Sequence, residues 1–146
     1  CEFSVEFPDK PTIKTYTSPQ IGDYEEALWT SQVPEDSTAL RTECIPIPAL
    51  SEKLTSTNGK QFLLDLLSKF ANDNGLSAVE YRYALKKIGP TGMARGIKTI
   101  QGVPVTFQIV VVGGNSSLIT LYAGGRSATF PQREISPFLS SVQRTQ

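Results

Sequence analysis

The chain is expected to fold as a single α+β domain over residues 1–146, an antiparallel β-sheet of six to seven strands sandwiched by helices. Three observations predict it. Apolar residues alternate with period two over most of the chain. The period switches to that of a helix between residues 57 and 74. Gly- and Asn-rich turns link the strand-like runs that follow. Such an antiparallel sheet must cover its apolar faces, and the two helical segments are the material at hand.

The elements follow in order. Glu2–Phe7 sets Phe3, Val5 and Phe7 on one side and Glu2, Ser4 and Glu6 on the other, as a half-buried strand does. Pro8 to Pro11 is a turn, and the β-branched run Thr12–Thr17 is expected to return antiparallel. Pro19–Asp23 breaks it. Glu25–Val33 forms another strand, carrying Trp29. Pro34–Ser37 is a loop, and Ala39–Ile47 is a strand ended by Pro46 and Pro48.

From Thr57 to Asn74, Leu63, Leu66, Leu67 and Phe70 fall on one helical stripe. Thr57 or Asn58 can cap its start and Gly75 its end. Asp65 precedes Lys69 by four residues, the favourable order for a surface pair. Next, Val79, Tyr81, Tyr83 and Leu85 alternate with Glu80, Arg82 and Lys86. Gly89–Gly92 has the composition of a turn. Ala94–Ile100 and Val103–Val112 are joined by Gln101-Gly102, a tight hairpin. Gly113–Ser116 turns into Leu118–Ala123, making a meander with Val103–Val112 central. Gly124-Gly125 ends that strand. Residues 132–143 suit a short terminal helix with Ile135, Phe138, Leu139 and Val142 inward, Ser136 as cap and Pro137 at the first helical position.

Composition excludes several chemistries. The 146 residues carry 14 basic and 14 acidic side chains and no histidine. Imidazole acid–base catalysis, histidine metal sites and Ser-His-Asp triads are therefore absent. A pI near 6.5 argues against a nucleic-acid binder. Charge is uneven along the chain. Residues 1–58 hold ten acids and four bases, net −6, and residues 59–146 hold four acids and ten bases, net +6. If the halves occupy different faces, the folded protein is a dipole; if they interleave, the charges cancel. The longest wholly apolar run, Ile109–Val112, is far short of the ~20 residues of a membrane-spanning helix.

The chain has two cysteines, and the first residue is one of them. Cys1 can be a lipid-bearing residue of a bacterial lipoprotein, half of a Cys1–Cys44 bridge in a secreted domain, or the result of a chain cut at an arbitrary place. The first two imply an exported protein, periplasmic or anchored to a membrane through Cys1.

Candidate sites are few. Gly113-Gly114-Asn115-Ser116-Ser117 follows a strand as phosphate loops do, but lacks the Gly-Lys-Ser/Thr ending and leads into a strand, so it reads as a hairpin turn. Asn115-Ser116-Ser117 also fits a glycosylation triplet. Cys44, without a histidine partner, reads as an inert buried thiol or half a disulfide. The acid clusters Glu25-Glu26, Glu35-Asp36 and Asp73 are placed near turns or helix ends and read as solvated surface rather than glycosidase-like pairs. Asp23, Glu25 and Glu26 lack calcium-loop spacing. No catalytic residue, metal or cofactor is implied. The basic set Arg82, Lys86, Lys87, Arg95 and Lys98 is the leading binding candidate. On two adjacent strands it is expected to form a positive patch beside Tyr81 and Tyr83, against a reading in which lysines merely protect an edge. Trp29 is a candidate for the core or for an interface.

The opening Glu2-Phe3-Ser4-Val5-Glu6-Phe7-Pro8-Asp9-Lys10-Pro11 resembles the F-S-V-x-F-P-x-x-P start of PsbP-like proteins. The ending Ile135-Ser136-Pro137-Phe138-Leu139-Ser140-Ser141-Val142 is similar to their closing F-L-x-S-F helix, with Val142 where Phe is usual. That family includes an extrinsic photosystem subunit, bacterial lipoproteins and a Ran-binding nuclear import factor. The resemblance implies an α/β/α sandwich and a non-enzymatic accessory or adaptor role, often with an N-terminal lipid. It implies no particular binding residue. This chain departs from the lipoproteins of the group in having no tether between Cys1 and the first strand. The expected function is thus an exported accessory protein acting by protein–protein contact. The alternative is a small-ligand or lipid-binding module with a cavity lined by Phe62, Leu66, Phe70 and strand residues.

Overall fold

The computed structural model describes residues 1–31 and 37–145. Most of them belong to one seven-stranded antiparallel sheet in the order β2-β3-β4-β8-β7-β6-β5. Its strands are β2 (Thr12–Ser18), β3 (Gly22–Thr30), β4 (Ala39–Pro46), β5 (Ser77–Lys86), β6 (Gly89–Ile100), β7 (Val103–Gly113) and β8 (Ser117–Arg126). β1 (Phe3–Ser4) pairs with β9 (Gln143–Arg144) in a separate two-stranded ribbon. The helices are α1 (Leu50–Thr55), α2 (Gly59–Asp73) and α3 (Ile135–Leu139).

The sheet is two meanders joined along one seam. β2-β3-β4 is the first and β5-β6-β7-β8 the second, and β4 meets β8 in continuous register from Ala39↔Gly124 to Pro46↔Ser117. The chain passes from β4 to β5 through α1 and α2, which lie across one face. Leu63, Leu67 and Ala71 of α2 are fully buried there with Leu50 and Leu54 of α1, over Ala94, Ile109, Val111, Leu118 and Tyr122. The stripe is the expected one, except that Leu66 and Phe70 sit at its half-buried margin. The opposite face buries Leu40, Val110, Val112, Ile119, Leu121 and Ala123 beneath Phe3, Ile135, Phe138 and Val142. This second cover is a ribbon and a five-residue helix rather than a helical layer, so what the structure establishes is an α+β fold dominated by antiparallel sheet.

Local chemistry accounts for the elements. Gln101 and Gly102 both take positive φ, 49° and 80°, which matches the twist of a two-residue hairpin between β6 and β7. Gly75, at φ 69°, ends α2, with its N–H on the carbonyl of Asn72 and that of Leu76 on Ala71. Asn58 is the residue before α2, yet its side chain makes no cap; its carbonyl accepts the Phe62 N–H instead. Asp65 accepts from Gln61 at 2.8 Å, a neighbour one turn earlier.

Several boundaries differ from expectation. Glu2–Phe7 keeps its alternating burial, but only two residues pair as a strand, because the ribbon partner β9 is equally short. β2 pairs with β3, not with the N-terminal segment. Gly89–Gly92 is no turn. β6 begins at Gly89, and Lys87-Ile88 make the bend. Gly92 is needed inside the strand, since a Cβ there would lie 2.5 Å from Leu67 Cδ1. β8 likewise runs through Gly124 and Gly125, which make room for Phe107 and Gln132. Residue 134 precedes α3, so Ser136 and Pro137 lie inside the helix rather than at its cap. Pro34–Asp36 and the end of the strand expected at Glu25–Val33 lie outside the described residues. No helix is long and apolar enough to cross a membrane among the described residues.

Candidate functional site

Register decides what the basic residues can do. In β5, Glu80 faces Arg95 of β6, Tyr81 faces Ala94, Arg82 faces Met93 and Lys86 faces Gly89. Residues opposite one another share a face, and faces alternate along each strand. Arg82, Lys86 and Arg95 therefore occupy the face away from α2. Lys98 occupies the other, three positions from Arg95, and its Cε would lie 3.8 Å from a Cβ on Gly75, at the C-terminal end of α2. A lysine there complements the helix dipole. Tyr81, Tyr83 and Leu85 also belong to the α2 face, where Lys60 lies 5.7 Å from the Tyr83 ring centre. The expected single patch of five bases beside two tyrosines is thus split by the sheet, and Lys87 sits in the β5–β6 bend. Arg95 lies 4.8 Å from the Phe130 ring centre.

What the split leaves is an edge with two unlike sides. β5 is the outermost strand, so half its backbone N–H and C=O groups point away from β6. One side carries Arg82 and Lys86, with Arg95 and Ile97 behind them. The other carries Tyr81 and Leu85, and Leu85 is 78% exposed. Ile97 and Ile100 of β6 are exposed as well. A bulge between Ser77 and Glu80, with Ala78 at φ 52°, limits the regular edge to Glu80–Lys86.

The charges of the two chain halves are partly interleaved in the sheet, with Lys14 on β2, Arg41 on β4 and Glu80 on β5. Asp23, Glu25 and Glu26 lie on β3, near the β2 edge; Arg82, Lys86, Arg95 and Lys98 lie on β5 and β6. Glu26, on the α2 face, is not solvated surface. It pairs across strands with Glu43 of β4, and both approach Arg41, at 3.8 and 4.0 Å. Arg41 also donates to Asn74 at 3.3 Å and stacks 4.0 Å over the Tyr122 ring. Burial pushes the Glu43 carboxyl above its usual range; Arg41 pulls it back, and a hydrogen bond shared with Glu26 raises it again. Burial, with Glu43 nearby, pushes the Tyr122 hydroxyl up to about 12. A hollow of ≈ 160 Å³ beside Arg41 and Tyr122 is too small to enclose a substrate of ordinary size. Glu35-Asp36 lie outside the described residues, and Asp73 is exposed at the end of α2. No group of metal-ligating side chains comes together among the described residues.

Between α2 and the sheet Leu63, Leu67 and Ala71 are fully buried, and Phe62, Leu66 and Phe70 pack half-buried at their margin. Trp29 is half-buried against the core of the second face. Cys1 and Cys44 are joined in a disulfide. The bridge is one of the three readings of Cys1.

No family model matches the chain, and no curated protein matches it. A crystal structure of a protein from Bacteroides thetaiotaomicron VPI-5482, at 1.50 Å, is similar in fold, with a TM-score of 0.52 and 12% identity. The match covers 99% of this chain and 46% of that one. The chain thus spans about half the length of that protein, and the likeness concerns fold alone.

Proposed function

We propose that this protein is an exported, non-catalytic accessory protein of PsbP-like α/β/α type that binds a protein partner along the β5 edge. The carrying observation is the exposed Leu85 on an open edge strand whose other side bears Arg82 and Lys86. Edges that are merely protected carry charge and hide apolar side chains; this one displays both. The fitting partner is an extended segment that adds a strand to β5, alternating acidic residues with apolar ones. Its acids would meet Arg82, Lys86 and Arg95, and its apolar side chains would meet Leu85 and Tyr81. Export is supported by the Cys1–Cys44 bridge, since such bridges persist in oxidising compartments. The PsbP-like reading rests on the sequence of the two terminal segments, whose Phe3, Phe7, Phe138 and Val142 share one cluster.

A fluorescein-labelled peptide alternating Glu and Val tests the edge by fluorescence anisotropy. Binding should weaken with salt. Arg82→Glu with Lys86→Glu should weaken it at least tenfold and leave the melting temperature unchanged. Equal binding by the double variant would remove the basis of the proposal.

A further inference from the structure

The turn between β7 and β8 is shaped to hold an oxyanion, and it holds one from its own chain. The N–H of Asn115 donates to Glu2 Oε1 at 2.9 Å. The N–H groups of Ser116 and Ser117 donate to Oε2 at 3.0 and 2.8 Å, and the Ser117 hydroxyl donates to the same oxygen at 2.6 Å. Arg144 Nη1 stands 3.4 Å from Oε1. Gly114 permits the approach, because a Cβ there would lie 2.5 Å from Oε2. Consecutive N–H groups converging on one point form a nest, a concavity with partial positive charge.

The nest does not depend on Glu2 for its shape. The carbonyls of the turn are fixed from elsewhere: Ser116 O by the Ile47 N–H at 2.9 Å, Asn115 O by the Ser51 N–H at 3.0 Å, and Ser117 O by the Gly114 N–H at 2.9 Å. With those bonds in place, the N–H groups of Ser116 and Ser117, which share peptide planes with the Asn115 and Ser116 carbonyls, are held in direction from outside the nest. Burial works against the charged form of Glu2. The bonds from the Ser117 hydroxyl and the three backbone N–H groups outweigh it and hold its carboxyl near 2, from an ordinary 4.5.

The neighbouring residue is Cys1, bridged to Cys44 on β4. A surface hollow of ≈ 280 Å³ is lined by Cys1, Cys44, Tyr24 and Ser117 together with the acidic residues Asp23 and Glu25. The bridge and Ser117 of the nest both open onto this hollow. We propose that the β7–β8 turn is a carboxylate-binding site that Glu2 occupies in cis while Cys1–Cys44 is closed, and that reduction of the bridge opens it to a carboxylate from outside.

The chemistry balances with a dithiol as reductant. One of its thiolates attacks a bridge sulfur and forms a mixed disulfide, releasing the other cysteine as thiolate. Its second thiol then closes the reductant's own disulfide, leaving Cys1 and Cys44 as thiols with the two electrons and two protons it gave up. Glu2 is then held beside the nest without the covalent tie, by its main-chain bonds to Thr145 and Ser117, the two-residue β1 pairing and Phe3. Its effective concentration falls, and an outside carboxylate can compete.

Amide ¹H–¹⁵N spectra of the full chain, titrated with sodium acetate against sodium chloride at constant ionic strength, test this. In the oxidised protein the Asn115, Ser116 and Ser117 amides should not move. In oxidised Glu2→Ala they should shift saturably, with a midpoint on the order of 10 mM. In the unsubstituted protein reduced by dithiothreitol they should shift with a midpoint within tenfold of that value. Unmoved amides in Glu2→Ala would mean that no site exists. Shifts there but not in the reduced protein would mean that the bridge is not its gate. Either result overturns the proposal, and the reduced protein supplies the reading without a substitution should Glu2→Ala fail to fold.

Discussion

Leu67→Ala is the sharpest probe of how the helix sits on the sheet, because the floor beneath Leu67 is a glycine. The side chain is fully buried, and its Cδ1 occupies the space that a Cβ on Gly92 would need. Removing three buried carbons forfeits about 2.4 kcal/mol of transfer free energy. The strand cannot rise to fill the gap, so a cavity term of about 2 kcal/mol adds to it, for a loss near 4 kcal/mol. Gly92→Ala in the unsubstituted protein forces its methyl against Leu67, with Val111 Cγ2 at 3.3 Å, and should cost about 1–2 kcal/mol net of the gain from removing a strand glycine. In the Leu67→Ala background the same methyl enters vacant space and should stabilise by about 1 kcal/mol. The sign reversal implies a coupling of about 2–3 kcal/mol, measurable by urea unfolding of all four proteins with the disulfide intact. A Gly92→Ala effect that is the same within about 0.5 kcal/mol in both backgrounds would refute the contact.

Two further outcomes follow from charge and covalent closure. Glu43→Gln should raise stability at pH 7, because the carboxyl is raised in the folded protein and its charged form is the costly one. In the unsubstituted protein the folded state takes up the proton first, so stability rises as pH falls through the raised value towards the ordinary 4.5; the variant should lose that slope in urea melts across pH 4–8. Cys1→Ser with Cys44→Ser opens a closure spanning 43 residues and should cost about 4 kcal/mol in the chain-entropy picture, read from the same melts. A cost below 1 kcal/mol would mean that the N-terminal segment is held by Phe3 and Glu2 alone.

Elements governed by neighbours in the chain were legible in the sequence. The Leu63–Leu67 stripe, Gly75, the Gln101-Gly102 hairpin and the long β7 run all declare themselves through local periodicity or turn chemistry. α1 gives a shorter signal, Leu50 and Leu54 one turn apart, and has no counterpart among the expected elements. The basic set failed on parity. Arg95 and Lys98 differ by three positions, and Tyr81 and Arg82 by one, so a continuous strand must send each pair to opposite faces. That much could have been counted. Gly89 and Gly92 read as a turn, and Gly124 and Gly125 as a strand end, because their reason lies in another element: the Gly113 carbonyl, Leu67, Phe107 and Gln132 stand where a side chain would be. The Glu2 nest was out of reach, since nothing local brings residue 2 beside residues 115–117.

Two adjacent residues close the join between the meanders. Cys1 is fastened to β4 and Glu2 to the β7–β8 hairpin, so one dipeptide rivets together the slabs whose strands pair where β4 lies against β8. With the rivet drawn, the first slab remains attached through that single ladder and the helical crossover. Amides along β4 should then exchange with solvent sooner than those buried between β6 and β7, and the molecule would breathe at its middle rather than fray from its rims.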